Sequence, residues 1–214
     1  MLFIATPLYE NKVTVQYMHG MMQTAHVLQT HGLASQYAME QSSYIAVNRE
    51  KLVRRFLKTD CQFFLFIDSD TAFTAQDVMG LLAANVPVVS GLYRYRVQTT
   101  EGAIVHCFRD PQGKPIDVNS TELQECAFLP TGMLLIRREV FEKMYRQHDY
   151  IFDQGFKDTS WFKAVFEPSD DIVQSDFEGE DICFSRLWRD MGGKLYVKAD
   201  IKVGHVGTHN YREF

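Results

Sequence analysis

Through the first 92 residues, short apolar runs alternate with stretches whose apolar residues recur every three or four positions. Leu2 to Ala5 is one such run, closed by Thr6-Pro7, and Met18, Met21, Met22, Ala25 and Leu28 follow at helical spacing. A brief strand from Ala34 to Met39 and a helix with Leu52, Val53, Phe56 and Leu57 on its inner face repeat the order. Phe63 to Ile67 is apolar at every position, which predicts a strand buried on both faces, as in a parallel sheet. Thr74 and Asp77 stand at capping-box spacing before Val78, Leu81 and Leu82, so a helix is expected to start there. Val86 to Leu92, interrupted by Pro87, reads as the next strand. Strands alternating with helices in this way predict a doubly wound α/β layer.

The second half is less regular. Thr99 to Gln124 is polar and contains Gly and Pro, as hairpins or loops do. Ala127 to Ile136 reads as a strand broken at Pro130 to Gly132, followed by a short helix using Val140, Phe141, Met144 and Tyr145. From Tyr150 to Asp176 there is no clean period, yet the stretch carries Phe152, Phe156, Trp161, Phe162 and Phe166. Such a segment is either packed satellite core or a flap over a ligand. A last helix places Phe184, Leu187, Trp188 and Met191 on one face and stops at Gly192-Gly193. A strand from Lys194 to Val197 and a tail from Val203 to His209 follow. With no repeat and no linker-like stretch, residues 1–214 are expected to form a single domain.

Composition narrows the partners more than the fold. At 46% hydrophobic and 23% charged, the chain is neither disordered nor a fibrous repeat. Lys plus Arg number 22 against 27 Asp plus Glu, a net charge of −5, so no global basic field draws nucleic acid or an anionic membrane. A phosphate-bearing partner has to be held by a local site. Cys61, Cys107, Cys126 and Cys183 lack the CxxC spacing of zinc or dithiol sites and read as free thiols of a reducing compartment. No apolar run approaches the roughly 20 residues that span a bilayer, and the start lacks a basic signal-peptide region. A cytoplasmic location is therefore expected, that of a host cell if the source is viral. Asn119-Ser120-Thr121 matches a glycosylation acceptor, which has meaning only on a secretory route.

Asp68 and Asp70 close the apolar run at Ile67, where open α/β sheets collect ligands at the carboxyl ends of their strands. Two carboxylates one residue apart repel unless a cation joins them, and oxygen ligands suit Mg²⁺ or Mn²⁺ bound together with substrate phosphates. Haloacid-dehalogenase-like phosphatases use such a pair, with the first Asp as nucleophile, but on the first strand of the chain and with Thr or Val where Ala72 stands here. A phosphohydrolase acting through Asp68 is the alternative enzyme reading, and a catalytically silent module that binds sugar nucleotides is a third.

Several segments, in order, resemble GT-A glycosyltransferases, in particular the small family-2-like enzymes of bacteria, phages and large viruses. They are Ala5-Thr6-Pro7-Leu8-Tyr9, Phe66-Ile67-Asp68-Ser69-Asp70 with Phe73, Val88 to Tyr93, Pro130 to Phe141, Gly179 to Phe184 and Val203 to Gly207. The resemblance runs over nearly the whole chain. It implies a GT-A-like α/β domain, with a mostly parallel nucleotide-sugar-binding half over residues 1–98 and a less regular acceptor-binding and catalytic half over 99–214. It also implies transfer of a sugar from a nucleoside diphosphate sugar, expected to be a UDP-sugar, to a hydroxyl of a glycan or glycoconjugate. Asp70 would be the direct ligand of Mn²⁺ or Mg²⁺, Asp68 would share the metal or lie nearer the ribose, and His205 would close the metal's protein shell. By the same resemblance Asp181 is the base of an inverting reaction, Glu180 its acceptor-binding neighbour, and Leu8 and Ser69 border the nucleotide. Where such enzymes often carry Arg-Asn, this chain has Arg49-Glu50.

The residues read alone leave choices open. Thr6 and Tyr9 either hold a base and ribose by hydroxyl and ring contacts or form an ordinary strand-terminal turn. Arg49 either neutralises phosphate with its fork of donors or is a solvated residue at a helix start. His205 is a ligand or a packed histidine; Gly204 and Gly207 beside it allow close backbone approach. His209 is a second candidate, and His19, His26 and His31 fit a helix surface. Glu180 and Asp181 are a proton acceptor at a rigid helix start, or else simple complements of the helix dipole, with Ser175 and Glu178 as a cap. Tyr93, Arg94, Thr131, Gly132 and Trp161 are candidates to grip the acceptor, with core filling the alternative for Trp161.

Overall fold

The computed structural model describes residues 1–8, 10–93, 108–152, 162, 165–167 and 176–207. Tyr9, Arg94, Cys107, Trp161 and His209, with much of the aromatic stretch after Tyr150, lie outside these described residues.

The α/β alternation read from the first half is present. Strands β1 (Leu2–Leu8), β2 (Ser35–Gln41), β3 (Phe63–Ile67), β4 (Thr71–Ala72) and β5 (Val88–Tyr93) are interleaved with helices α1 (Val15–Thr30), α2 (Ile45–Leu57) and α3 (Ala75–Ala83). The later chain adds β6 (Leu123–Cys126), β7 (Met133–Arg137), α4 (Arg138–Phe152), the pair β8 (Val165–Glu167) and β9 (Asp176–Glu178), α5 (Glu180–Asp190) and β10 (Leu195–His205). An 8-stranded sheet runs β2-β1-β3-β7-β5-β10-β4, with β6 also on β10. β1 is parallel to β2 and β3, and β10 is parallel to β5, while β7 runs antiparallel to both β3 and β5. Thus β2, β1, β3, β5 and β10 all point one way, and β7 is inserted against them. The result is a mostly parallel, GT-A-like sheet with helices on both faces.

The two faces follow from strand parity. Phe3, Phe64 and Phe66 point to one side, where their rings meet Phe56 of α2 and Phe141 of α4; Phe141 in turn meets Phe184 of α5. Thr6 points to the other side and meets Tyr17 of α1, which packs beside α3. The expected capping box starts α3: the Thr74 N–H donates to Asp77 Oδ2 at 2.7 Å, and the Asp77 N–H donates to Thr74 Oγ1 at 3.3 Å.

Three elements differ from expectation. In α1 the buried residues are Tyr17, Gly20, Thr24 and Leu28, while Met18 and Met22 are 49% and 68% exposed. The helix is turned so that the Tyr17 hydroxyl reaches Thr6 and the bare Gly20 lies against Phe73. A Cβ at Gly20 would fall 2.7 Å from the Phe73 carbonyl oxygen, so Gly20→Leu is expected to destabilise by about 2 kcal/mol or more, read as a lower urea midpoint. The strand after α5 is not four residues but the 11-residue β10, whose buried Val197, Ala199, Ile201 and Val203 alternate with outward Lys198, Asp200 and Lys202. Finally, the aromatic stretch after Tyr150 is partly regular, because α4 continues to Phe152 and β8 pairs with β9. Phe162 within it is 0% exposed, stacked on Phe184 at 4.6 Å and edge-on to Phe66 at 5.2 Å. At that residue the segment is core and not a flap.

Candidate functional site

Asp68, Ser69 and Asp70 form the turn between β3 and β4, and its backbone is fixed from several sides. The Asp68 N–H donates to the Gly132 carbonyl and the Thr71 N–H to the Asp68 carbonyl, both at 3.0 Å; the Ser69 carbonyl accepts from the Thr14 N–H at 2.9 Å. The Asp70 carbonyl accepts from the Val206 N–H at 2.8 Å, which ties the turn to the end of β10. Since Thr71 is paired with His205 across β4 and β10, the Asp70 carboxylate and the His205 ring are brought together, with Oδ2 and Nε2 3.5 Å apart. The ring of Tyr93, at the end of β5, lies 4.9 Å from that of His205.

Strand parity continues through the turn. Asp68 follows Phe64 and Phe66 onto the face of α2 and α5, and there it meets Arg49. Arg49 lies on the inner face of α2 with Leu52, Val53 and Phe56, is 2% exposed, and has its guanidinium 5.0 Å above the Phe66 ring. Its Nη2 donates to Asp68 Oδ1 at 3.1 Å and Oδ2 at 3.4 Å, and its Nε donates to Glu180 Oε1 at 3.1 Å. Burial disfavours the Arg49 cation, but Asp68, Glu180 and Asp181 outweigh this and hold its pKa above the ordinary guanidinium value. Nη1 is buried and has no hydrogen-bond partner among the described residues, which leaves a donor for a ligand oxygen.

α5 has Gly179 at its N-cap, with no side-chain cap, and Glu180 and Asp181 form its acidic first turn; Ser175, offered with Glu178 as an alternative cap, lies outside the described residues. Asp181 Oδ1 accepts from the Ile182 N–H at 2.9 Å. Burial, then the charge of Glu180, pushes the Asp181 carboxyl above its ordinary value; the Ile182 N–H and Arg49 act in the opposite direction. Glu180 is engaged by Arg49, and the proton affinity of Asp181 beside it is raised. A carboxylate poised in this way can accept a proton, as a general base requires.

Other expected contacts are placed differently. Thr6 is buried and its hydroxyl is engaged with Tyr17, so it does not face a nucleotide from the first loop. Leu8 is buried, and its carbonyl accepts from Asn48 Nδ2 at 3.0 Å. Tyr93, Thr131 and Gly132 are buried together; a Cβ at Gly132 would fall 2.4 Å from the Tyr93 ring. The Gly132 carbonyl is tied to the turn, accepting from the Asp68 N–H at 3.0 Å and the Thr71 hydroxyl at 3.1 Å. Asp68, expected to share the metal, is held by Arg49. Among the described residues no group of three or more His, Cys, Asp or Glu gathers to hold a metal alone. The Asp70 oxygen and His205 nitrogen are a donor pair suited to Mn²⁺ or Mg²⁺ only if a ligand supplies the remaining oxygens.

Sequence reasoning named Arg49 as a site residue, but it did not foresee that Arg49 joins Asp68 to Glu180 or that Asn48 and Glu50 beside it hold neighbouring segments. The signal was present: Asn48 and Arg49 precede Leu52, Val53 and Phe56 at helical spacing, so polar side chains lie on an apolar face. Buried polar side chains in such a place have partners to be sought.

Compared with known proteins, the chain matches no family model and no curated protein sequence. Its fold is shared with A197 from STIV, a crystal structure that superposes with a TM-score of 0.56 at 17% identity, covering 96% of this chain and 85% of that one. A glycosyltransferase involved in the glycosylation of the major capsid of PBCV-1 superposes with a TM-score of 0.38 at 11% identity over 75% of this chain and 68% of that one. The first likeness establishes the fold alone, and the second is too distant to bear on function. No helix among the described residues is long and apolar enough to cross a membrane.

Proposed function

We propose that the protein is a metal-dependent, inverting glycosyltransferase that moves a sugar from a nucleoside diphosphate sugar, a UDP-sugar by preference, to a hydroxyl of a glycan or glycoconjugate. The observation that carries this reading is the meeting of three parts at one sheet edge. They are the Asp68-Ser69-Asp70 turn, His205 facing Asp70 at 3.5 Å, and the first turn of α5 joined to Asp68 through Arg49. A donor's diphosphate needs positive charge where it departs, which a divalent cation, if bound, would supply. Asp70 and His205 would hold that cation. Arg49 Nη1 is the buried donor that remains for a phosphate or ribose oxygen.

Asp181 takes the proton from the acceptor hydroxyl as the hydroxyl oxygen bonds to the anomeric carbon. The bond from that carbon to the diphosphate oxygen breaks, and the electron pair leaves with the diphosphate. Glu180, held by Arg49, lies beside Asp181, and its charge helps to raise the proton affinity of Asp181. The rival phosphohydrolase reading needs a free Asp68 nucleophile, whereas both oxygens of Asp68 lie within 3.4 Å of the same Arg49 nitrogen. No observation favours a silent binding module.

Thermal shift tests the reading directly. UDP and Mn²⁺ together are expected to raise Tm by more than the sum of their separate effects, since the diphosphate completes a shell the protein only begins. Asp70→Ala is expected to abolish that synergy. Retention of the full synergy in the variant would remove Asp70 from the metal site, and its absence in the wild type would remove the donor class.

A further inference from the structure

Three consecutive residues of α2 each tie down a different segment around the site. Asn48 Nδ2 donates to the Leu8 carbonyl at 3.0 Å and to the Ser42 carbonyl at 3.3 Å. Arg49 spans Asp68 at the end of β3 and Glu180 at the start of α5, sequence separations of 19 and 131. Glu50 Oε1 accepts from the Phe162 N–H at 2.8 Å, and Phe162 in turn stacks on Phe184 of α5. One turn of helix therefore joins the β1 end, the carboxylate turn, the segment at Phe162 and the first turn of α5.

We propose that Arg49 is a positioning residue that sets α5, and with it Asp181, relative to the Asp68-to-Asp70 turn, with Glu50 securing the same helix from behind through Phe162. This rests on the glycosyl-transfer reading for its consequence, but not for its geometry. The fork matters as much as the charge. A guanidinium places Nε and Nη2 at a fixed angle and so holds two carboxylates at one separation, which a lysine ammonium on a flexible stem does not. The platform is rigid: Phe66 lies beneath the guanidinium, and the packed rings of Phe162 and Phe184 lie beside Phe66. Without the fork, Asp68 and Glu180 would face each other as like charges, and the start of α5 would move away. A displacement of about 1 Å in a reacting group is enough to cost roughly a hundredfold in rate.

The test compares Arg49→Lys, Arg49→Met, Glu180→Gln and the double variant Arg49→Met with Glu180→Gln. Hydrogen exchange is followed at the amides from Cys183 to Leu187, with those of β5 and β10 as reference, alongside kcat and donor KM. Both Arg49 variants are expected to speed exchange in α5 by about tenfold or more while the reference strands change little. In transfer, kcat is expected to fall about a hundredfold, more than donor KM rises, and Arg49→Lys to recover only a small part of it. The double variant is expected to be no worse than Arg49→Met alone, because the two changes break one link. Full recovery by lysine, multiplicative losses in the double variant, or exchange in α5 that is unchanged or rises uniformly with the reference strands would each overturn the proposal. If Arg49→Met fails to fold, Arg49→Lys and Glu180→Gln decide by the same exchange measurement. If the wild type transfers no sugar, the functional reading fails, and exchange alone still decides whether Arg49 places α5.

Discussion

Asp181→Asn is expected to lower sugar transfer by about 10²- to 10⁴-fold while UDP and Mn²⁺ still stabilise the protein together. The amide keeps the carboxylate's shape and can still accept from the Ile182 N–H, but it has no useful basicity. The acid limb of the wild-type pH–rate profile is expected above the range of an ordinary Asp, because burial and the Glu180 charge raise the Asp181 pKa. Stability is expected to move in the opposite sense to activity. With a folded pKa above the ordinary 3.8, the folded chain loses stability relative to the unfolded one as pH rises through that window. Asparagine carries no charge to desolvate. The variant is thus expected to melt above the wild type at neutral pH and to lose that advantage below the ordinary value. A transfer loss of less than about threefold would exclude Asp181 as the base and turn attention to Glu180.

The second large effect is expected in the core. Phe64→Ala removes a fully buried ring that touches Phe3, Phe56, Phe66 and Phe141, at centroid distances from 4.5 to 5.8 Å. Those neighbours belong to β1, α2, β3 and α4, so no single element can move in to refill the space. A loss of about 3–5 kcal/mol is expected, measured by urea unfolding, with part of it recovered by Phe64→Leu. A loss below about 1 kcal/mol would mean that the ring cluster collapses readily.

What was legible in the sequence had a local cause. The five-residue apolar run at β3 could hardly be anything but an interior strand, and Asp68 and Asp70 mark its end because charges stop such a run. The box at Thr74 is a four-residue pattern with its own hydrogen bonds. The inner face of α1 was not legible, because Tyr17 turns inward only where a strand threonine meets its hydroxyl, and Gly20 only where Phe73 lies against it. Thr6 shows the same limit from the other side, since a hydroxyl at a strand end faces a ligand or a neighbour according to which helix lies above it. In β10 the alternation continues past Val197, but Lys198, Asp200 and Lys202 hid it; these residues project outward, and Lys198 pairs with Asp200 at 2.7 Å. The site's two carboxylate groups and Arg49 were each found, yet the link between them was not, because a contact across 131 positions leaves no local trace.

The reversed strand β7 also governs how the molecule can come into being. β3 and β5 are synthesised early but are not neighbours; β7, from residue 133 onward, must slide between them, and β10 must reach its place beside β5 later still. Until then the emerging chain has a β2-β1-β3 patch whose β3 edge is still unpaired and a separate β5 with both edges open. Assembly of Asp70 against His205 therefore waits until β10 has left the ribosome. Residues 1–98 and 99–214 are therefore interleaved in one sheet, and a fragment ending near residue 98 would carry the carboxylate turn without β7 and β10.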